Sequence, residues 1–390
     1  MQSSLFHFFI SGEEKEVFPD SQLYKLPLSG KNTGFSTDIS SEHKTRDLGF
    51  TIGDYFSAAH KFLVKDYFSI LRSGLEAVFN RPVQTDHIIK ITVFLEKHGA
   101  FYHPLKIQVS LYESQTCSFV LNGAVSVPGL SLIKTEYHLI ASLNKAHSKH
   151  YLPYVFGLDF IKTDKGRIGF FLGEWFEGYK EFHAADDQDR RQIVIWESDG
   201  RCHYVSETDA LEIYQQISRI LTYYYDIETF EQISHWHHAA GDFIVKQEEQ
   251  VLRVRLITAR GYAPVTEFDA EEENKKMHIL PSLLLFFLNL TLRMRLDRLN
   301  GTGKITMLGK RVITATLEGF LQALDEKSSF YDYGDLRSVF TEFFRQFSSG
   351  QLIEIMGNIL ESYYHDPSEI TLIKENLESH CKTLHFKFNI

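Results

Sequence analysis

Apolar side chains between Ile52 and Phe79 return every three or four positions, at Tyr55, Phe56, Ala59, Phe62, Leu63, Phe68, Leu71, Leu75 and Val78. That is the spacing of a helix face turned toward a core, and Asp54 is placed to cap its start, so an amphipathic helical pair is predicted. After Asp86 the period shortens. Residues 88–95, 106–111 and 118–121 are rich in β-branched side chains and read as three strands of an antiparallel meander. Helical spacing returns over 130–143 through Leu132, Ile133, Tyr137 and Ile140, and 154–158 and 167–172 add two more strands. Residues 183–206 are polar and read as an inserted surface loop. Beyond it lie helical patterns at 208–225, 281–299, 315–325, 334–347, 350–364 and 367–383. Residues 1–50 mix short apolar runs with Ser, Gly, Asp and Lys and read as loop-rich.

Composition narrows the class of protein. With 390 residues the chain is long enough for two or three packed lobes. Its 32 Phe and 19 Tyr predict large aromatic cores. A net charge of −10 and no long basic run argue against nucleic-acid binding, because phosphate backbones are held by clustered Lys and Arg. Cys117, Cys202 and Cys381 are far apart and form no Cys-x-x-Cys pair, so neither a disulfide framework nor a thiolate zinc site is expected, and a reducing cytoplasm is the expected location. No leader pattern opens the sequence. The most apolar window, 279–292, is interrupted by Pro281 and Asn289 and closed by Arg293, short of the ~20 residues a bilayer span needs, so a buried core helix is predicted and no transmembrane segment.

The stretch most suggestive of chemistry is His235-Trp236-His237-His238-Ala239-Ala240-Gly241-Asp242-Phe243-Ile244-Val245. The element order resembles the protein-kinase-like superfamily, in its aminoglycoside and choline phosphotransferase or lipopolysaccharide-kinase-like branch. The resemblance implies an α+β bilobal fold: an N-terminal extension over 1–84, a small five-stranded antiparallel lobe with one helix over 85–173, and a larger helical lobe over 174–390 carrying the polar insertion. Glu174-Trp175-Phe176-Glu177-Gly178 is similar to the family's linker, whose backbone binds adenine. The family's small-molecule kinases carry His-Gly-Asp-Leu-His-Pro-Gly-Asn before an apolar strand. Setting Gly241 on its glycine places Asp242 on the metal-binding Asn, His237 on the catalytic Asp and His235 on the leading His. Glu136 matches the helix Glu. The resemblance thus implies a nucleotide cleft of Asn122, Glu136, Glu174, Trp175, Phe176, Asp242 and Thr258, with Asp242 as the metal ligand and ATP and Mg²⁺ as cofactors.

Several positions depart from that pattern. Asn122 stands where a phosphate-pairing Lys is expected, Thr258 where a magnesium-binding Asp is expected, and the first hairpin offers only Gly99 for a glycine-rich loop. Phosphoryl transfer rests on cancelling phosphate charge and orienting the hydroxyl nucleophile, so each change removes part of the machinery. Threonine is a poor magnesium ligand beside a carboxylate. His237 can still accept a proton, and Lys106 or Lys134 can supply a cation. Three functions follow. The leading one is a pseudokinase-like protein that binds a nucleotide, a small molecule or a protein partner as a scaffold. The second is an atypical ATP-dependent phosphotransferase acting on a small hydroxyl compound or glycolipid. The third is a metal-dependent hydrolase built on His235, His237, His238 and Asp242. A purely structural loop, with Gly241 chosen for backbone shape and Asp242 bonding turn amides, explains the same residues.

Overall fold

Along Leu105–Leu111 buried and half-buried side chains alternate strictly, as a strand with one face on a core requires. This strand sits inside a mixed six-stranded sheet in a computed structural model that describes residues 5–30, 46–96, 101–187, 190–197, 201–234, 236, 238–249, 251–264, 275–364 and 366–389. The chain is of mixed α+β class and divides into two units, Met1–Glu177 and Gly178–Ile390.

In the first unit the elements are β1 (Phe6–Ile10), α1 (Gln22–Lys25), β2 (Pro27–Gly30), β3 (Arg46–Thr51), α2 (Ile52–Phe79), β4 (Ile88–Leu95), β5 (Leu105–Leu111), β6 (Thr116–Ala124), α3 (Val127–Ala146), β7 (Val155–Thr163) and β8 (Gly166–Glu174). The large sheet runs β1-β4-β5-β6-β8-β7. Strands β4 to β8 are the five predicted ones, all antiparallel to their neighbours, with α3 between the third and fourth. The sixth, β1, pairs in parallel with β4 and comes from the segment expected to be loop-rich. Adjacent residues on a strand face opposite sides. Phe170 packs on Tyr55 and Phe62 of α2, with ring centroids 5.3 and 5.7 Å apart, while Phe171 packs on Tyr102 and on Tyr137 of α3. The sheet is therefore covered by α2 on one face and α3 on the other, so the N-terminal extension supplies half of this unit's core.

Helix α2 starts in a capping box. Thr51, rather than Asp54, is the cap: its Oγ1 accepts from the Asp54 amide at 3.1 Å, and Asp54 Oδ2 accepts from the Thr51 amide at 2.7 Å. Midway, Asp66, Tyr67 and Phe68 adopt φ of 47°, 56° and 62°, a left-handed turn of three non-glycine residues that splits the helix into the predicted pair. Each such residue costs roughly 1–2 kcal/mol. The buried Tyr55 hydroxyl donates to the His103 carbonyl by passing over Gly123, where an added Cβ would lie 1.8 Å from that oxygen. Gly123→Ala should destabilise the first unit by about 1–3 kcal/mol, the usual range for overpacking, and urea denaturation read by circular dichroism measures it.

The second unit contains β9 (Phe182–Asp187), β10 (Arg190–Trp196), β11 (Cys202–Tyr204), α4 (Glu207–Tyr224), β12 (Glu231–Ser234), α5 (Ala239–Asp242), β13 (Phe243–Glu248), β14 (Val251–Leu256), β15 (Gly261–Pro264), α6 (Lys275–Arg293), β16 (Leu296–Arg298), β17 (Ile305–Met307), α7 (Arg311–Lys327), α8 (Leu336–Phe344), α9 (Ser349–Tyr363) and α10 (Pro367–Phe388). Here the polar loop expected over 183–206 is replaced by a three-stranded antiparallel sheet, β11-β10-β9. Ile193, Val194 and Ile195 are buried in it, and the charges that made the segment look like a loop pair across the strands, Arg191 Nε lying 3.1 Å from Asp186. Helix α6 begins at Lys275 and carries Pro281 inside it, so it extends further toward the N-terminus than the 281–299 pattern predicts. Among the described residues no helix is long and apolar enough to cross a membrane.

Two buried polar groups stand out in this helical core. Arg295 Nη1 donates to His380 Nδ1 at 3.0 Å, and Arg295 Nε donates to the Leu308 carbonyl at 2.8 Å. Thr291 Oγ1 gives its proton to the Leu288 carbonyl, so at 3.0 Å it must accept from His380 Nε2. The histidine is thus neutral, and burial together with the Arg295 charge pushes its pKa down to about 3. Lys327, 5% exposed, lies with Nζ 6.0 Å from the Tyr223 ring centroid and 5.7 Å from that of Tyr331. Burial pushes this amine down to about 8 against the opposing pull of Asp226 and Glu326.

Candidate functional site

The candidate residues are distributed over both units. In the first, Glu174 ends β8 and its Oε2 lies 2.6 Å from His150 Nε2 and accepts from the Tyr154 amide at 3.1 Å. The His150 ring stacks on Tyr154 at 4.1 Å and approaches Phe176 at 5.8 Å. Lys106 Nζ sits 4.8 Å from the Trp175 ring centroid and 3.5 Å from Glu177. Glu174, Trp175 and Phe176 are therefore brought together with Lys106 and with His150, a residue that the spacing of the sequence does not announce. Lys106, a candidate replacement cation, is engaged by an aromatic face and a carboxylate.

Asn122 is half-buried on β6, opposite Phe171 of β8. Glu136, 1% exposed on α3, accepts from the Tyr102 hydroxyl at 2.6 Å. A carboxylate so deeply buried needs such a donor, and the sequence offers no pattern that names Tyr102 as its source. Lys134, the other candidate cation, is exposed, because two residues along a helix turn the side chain to the far side.

In the second unit His235 and His237 lie outside the described residues. Around them the loop is held by internal contacts. The Trp236 carbonyl accepts from Arg293, whose guanidinium lies 5.6 Å from the Trp236 ring and 5.2 Å from that of Tyr364. His238 Nε2 lies 3.1 Å from Glu369 Oε1, both side chains being buried. Gly241 has φ +96°, a backbone shape that favours glycine, and open space where a Cβ would project. Strand β13 then pairs with β14, Phe243 opposite Leu256, and the Asp242 carbonyl accepts from the Ile257 amide at 3.0 Å.

That pairing brings Asp242 and Thr258 to the same end of the hairpin, both buried. It also brings Arg260, whose Nη2 lies 2.9 Å from Asp242 Oδ1. A single basic residue past a strand end carries no periodicity, so the sequence alone does not announce this arginine. The pair matters chemically. Mg²⁺ binds through anionic oxygen, and here the carboxylate's charge is already met by a guanidinium while the second position offers only a hydroxyl. This donor set does not fit a magnesium ion. Among the described residues no group of three or more His, Cys, Asp or Glu is placed to hold a metal. His380 faces Thr291 and Arg295, and His238 faces Glu369, so neither extends a histidine cluster.

Comparison of the chain with protein-family models gives no match, and comparison with curated proteins gives none.

Proposed function

We propose that the chain has a bilobal protein-kinase-like fold that has lost ordinary phosphotransfer and acts by binding, as a pseudokinase-like scaffold for a small-molecule or protein partner. Support comes from the succession of three antiparallel strands, a helix and two further strands, followed by a linker rich in aromatic residues. The observation that carries the loss of chemistry is the ion pair between Arg260 and Asp242. It neutralises the one carboxylate that the resemblance assigns to metal binding, next to Thr258, where a second carboxylate is expected. Asn122 removes a further charge, the cation for the phosphates.

Titration calorimetry with ATP and Mg²⁺, paired with a radiolabelled phosphate-transfer assay on small hydroxyl acceptors, tests the reading. The expected result is no magnesium-dependent turnover, unchanged in Asp242→Ala. Robust transfer that disappears in Asp242→Ala or His237→Ala would overturn it in favour of an active atypical phosphotransferase.

A further inference from the structure

Two Asn-Gly pairs occur in the sequence, Asn122-Gly123 and Asn300-Gly301. In such a pair the glycine backbone nitrogen can attack the asparagine side-chain carbonyl, because no Cβ on the second residue obstructs the approach. The fold treats the two in opposite ways. Asn122 is half-buried in β6 opposite Phe171, and Gly123 is paired with Phe170 on one side while its carbonyl accepts from the His103 amide at 2.8 Å on the other. An extended backbone held on both sides resists the rotation that ring closure needs. Asn300 is exposed at the tip of the hairpin of β16 and β17, strands of three residues each. Here Asn300 and Gly301 have φ of 51° and 77°, the left-handed turn that Asn-Gly favours in hairpins. So short a ladder opens at its tip at little cost.

A base is built against this tip. The His183 ring of β9 lies over Gly301, with Nε2 2.8 Å from the point where a Cβ would project. His183 Nδ1 lies 3.3 Å from Asp297 Oδ1. Asp297 is 1% exposed and fixed in place, its Oδ2 accepting from the Ala184 amide at 2.6 Å and its Oδ1 from the Arg298 amide at 2.7 Å. A carboxylate only accepts, so Nδ1 carries the imidazole proton and Nε2 turns a lone pair toward Gly301. An imidazole so placed reaches the Gly301 amide proton directly or through one water.

We propose that Asn300 is a site of self-catalysed deamidation, with His183 as the general base and Asp297 holding its tautomer. The Gly301 nitrogen passes its proton to His183 Nε2 and bonds to Asn300 Cγ. The bond from Cγ to the side-chain nitrogen breaks, and ammonia leaves with the proton returned by the imidazolium. Water then opens the succinimide at either carbonyl, giving aspartate or isoaspartate and one more negative charge on the hairpin. The proposal is independent of the kinase-like reading.

Peptide mapping by mass spectrometry tests it, on the full chain incubated at neutral pH beside the same chain unfolded in guanidinium. Asn300 should gain one mass unit faster in the folded chain than in the unfolded one, and Asn122 should fall behind its unfolded rate. His183→Ala should slow the folded reaction by about a hundredfold, the lower end of what a positioned general base contributes. Free imidazole should restore it by entering the vacated space, a response that a merely altered hairpin would not give. With rising pH the wild-type rate should level off once the imidazole is neutral, whereas attack driven by hydroxide keeps climbing. The comparison of folded with unfolded wild type needs no variant, so it stands even where His183→Ala does not fold. Folded Asn300 reacting no faster than unfolded Asn300 overturns the proposal. So does an undiminished rate in His183→Ala, or a slowed rate that imidazole does not restore.

Discussion

Acidification from neutral pH to below pH 3 should remove about 5 kcal/mol of stability through His380 alone, since each unit of pKa shift corresponds to ~1.4 kcal/mol. In the folded chain this imidazole is neutral, accepting from Arg295 and donating to Thr291, and burial beside a guanidinium holds its pKa near 3. The unfolded chain has the ordinary value of 6.5 and binds the proton first. The stabilising contribution is therefore complete above pH 6.5 and is lost as pH falls toward 3. Guanidinium denaturation across that window should show the slope, and His380→Leu should flatten it. The same variant should cost about 1–3 kcal/mol at pH 7, because an Arg295 N–H loses its acceptor in a buried site. An acid limb as steep in His380→Leu as in wild type would assign the effect to other groups.

Lys327 should act in the opposite pH range. Its folded pKa is about 8 and its ordinary value is 10.5, so between those limits the unfolded chain binds more protons and stability rises with pH. Below pH 8 the folded protein carries a buried ammonium at a cost of about 3 kcal/mol, only partly met by Asp226, Glu326 and the two tyrosine faces. Lys327→Met should therefore stabilise the protein at pH 7 by up to about 3 kcal/mol and abolish the rise between pH 8 and about 9, as measured by denaturant midpoints. At higher pH Tyr225, Tyr262 and Tyr331 act in the opposite direction: burial, reinforced by the Asp226 charge, pushes all three upward in the folded chain, while in the unfolded chain they ionise from the ordinary value of 10.0. A midpoint unchanged by Lys327→Met at pH 7 would count against a desolvated amine here.

The parts of the fold legible in the sequence are those whose side chains alternate or recur against a single core. Leu105–Leu111 announces itself by strict alternation, and α2 by its apolar stripe. Strand β1 does not: Phe6 to Ile10 is a short aromatic run whose pairing partner, β4, lies far along the chain. Strands β9 and β10 were hidden by Asp186, Asp187, Arg190 and Arg191, whose charges satisfy one another across a hairpin rather than marking a loop. The left-handed turn at Asp66, Tyr67 and Phe68 has no glycine to betray it. At the candidate site, Gly241 and Asp242 could be read because backbone shape and carboxylate chemistry are properties of single residues. The groups that decide their electrostatics could not. Glu369 lies 131 positions from His238, and Tyr102 lies 34 from Glu136, and long-range partners of this kind leave no local spacing to detect.

The parallel pairing of Phe6 with Ile91 also sets an order of events during synthesis. Strand β1 leaves the ribosome before β4, so its seat does not exist until some 85 further residues have followed, and loop closure over that span must precede any reward from the contact. Its placement thus waits on a strand that can already pair locally with β5. Until then the apolar side chains of Phe6, Phe8, Phe9 and Ile10 travel without their sheet, and a nascent chain arrested before β4 lacks the strand that seats them.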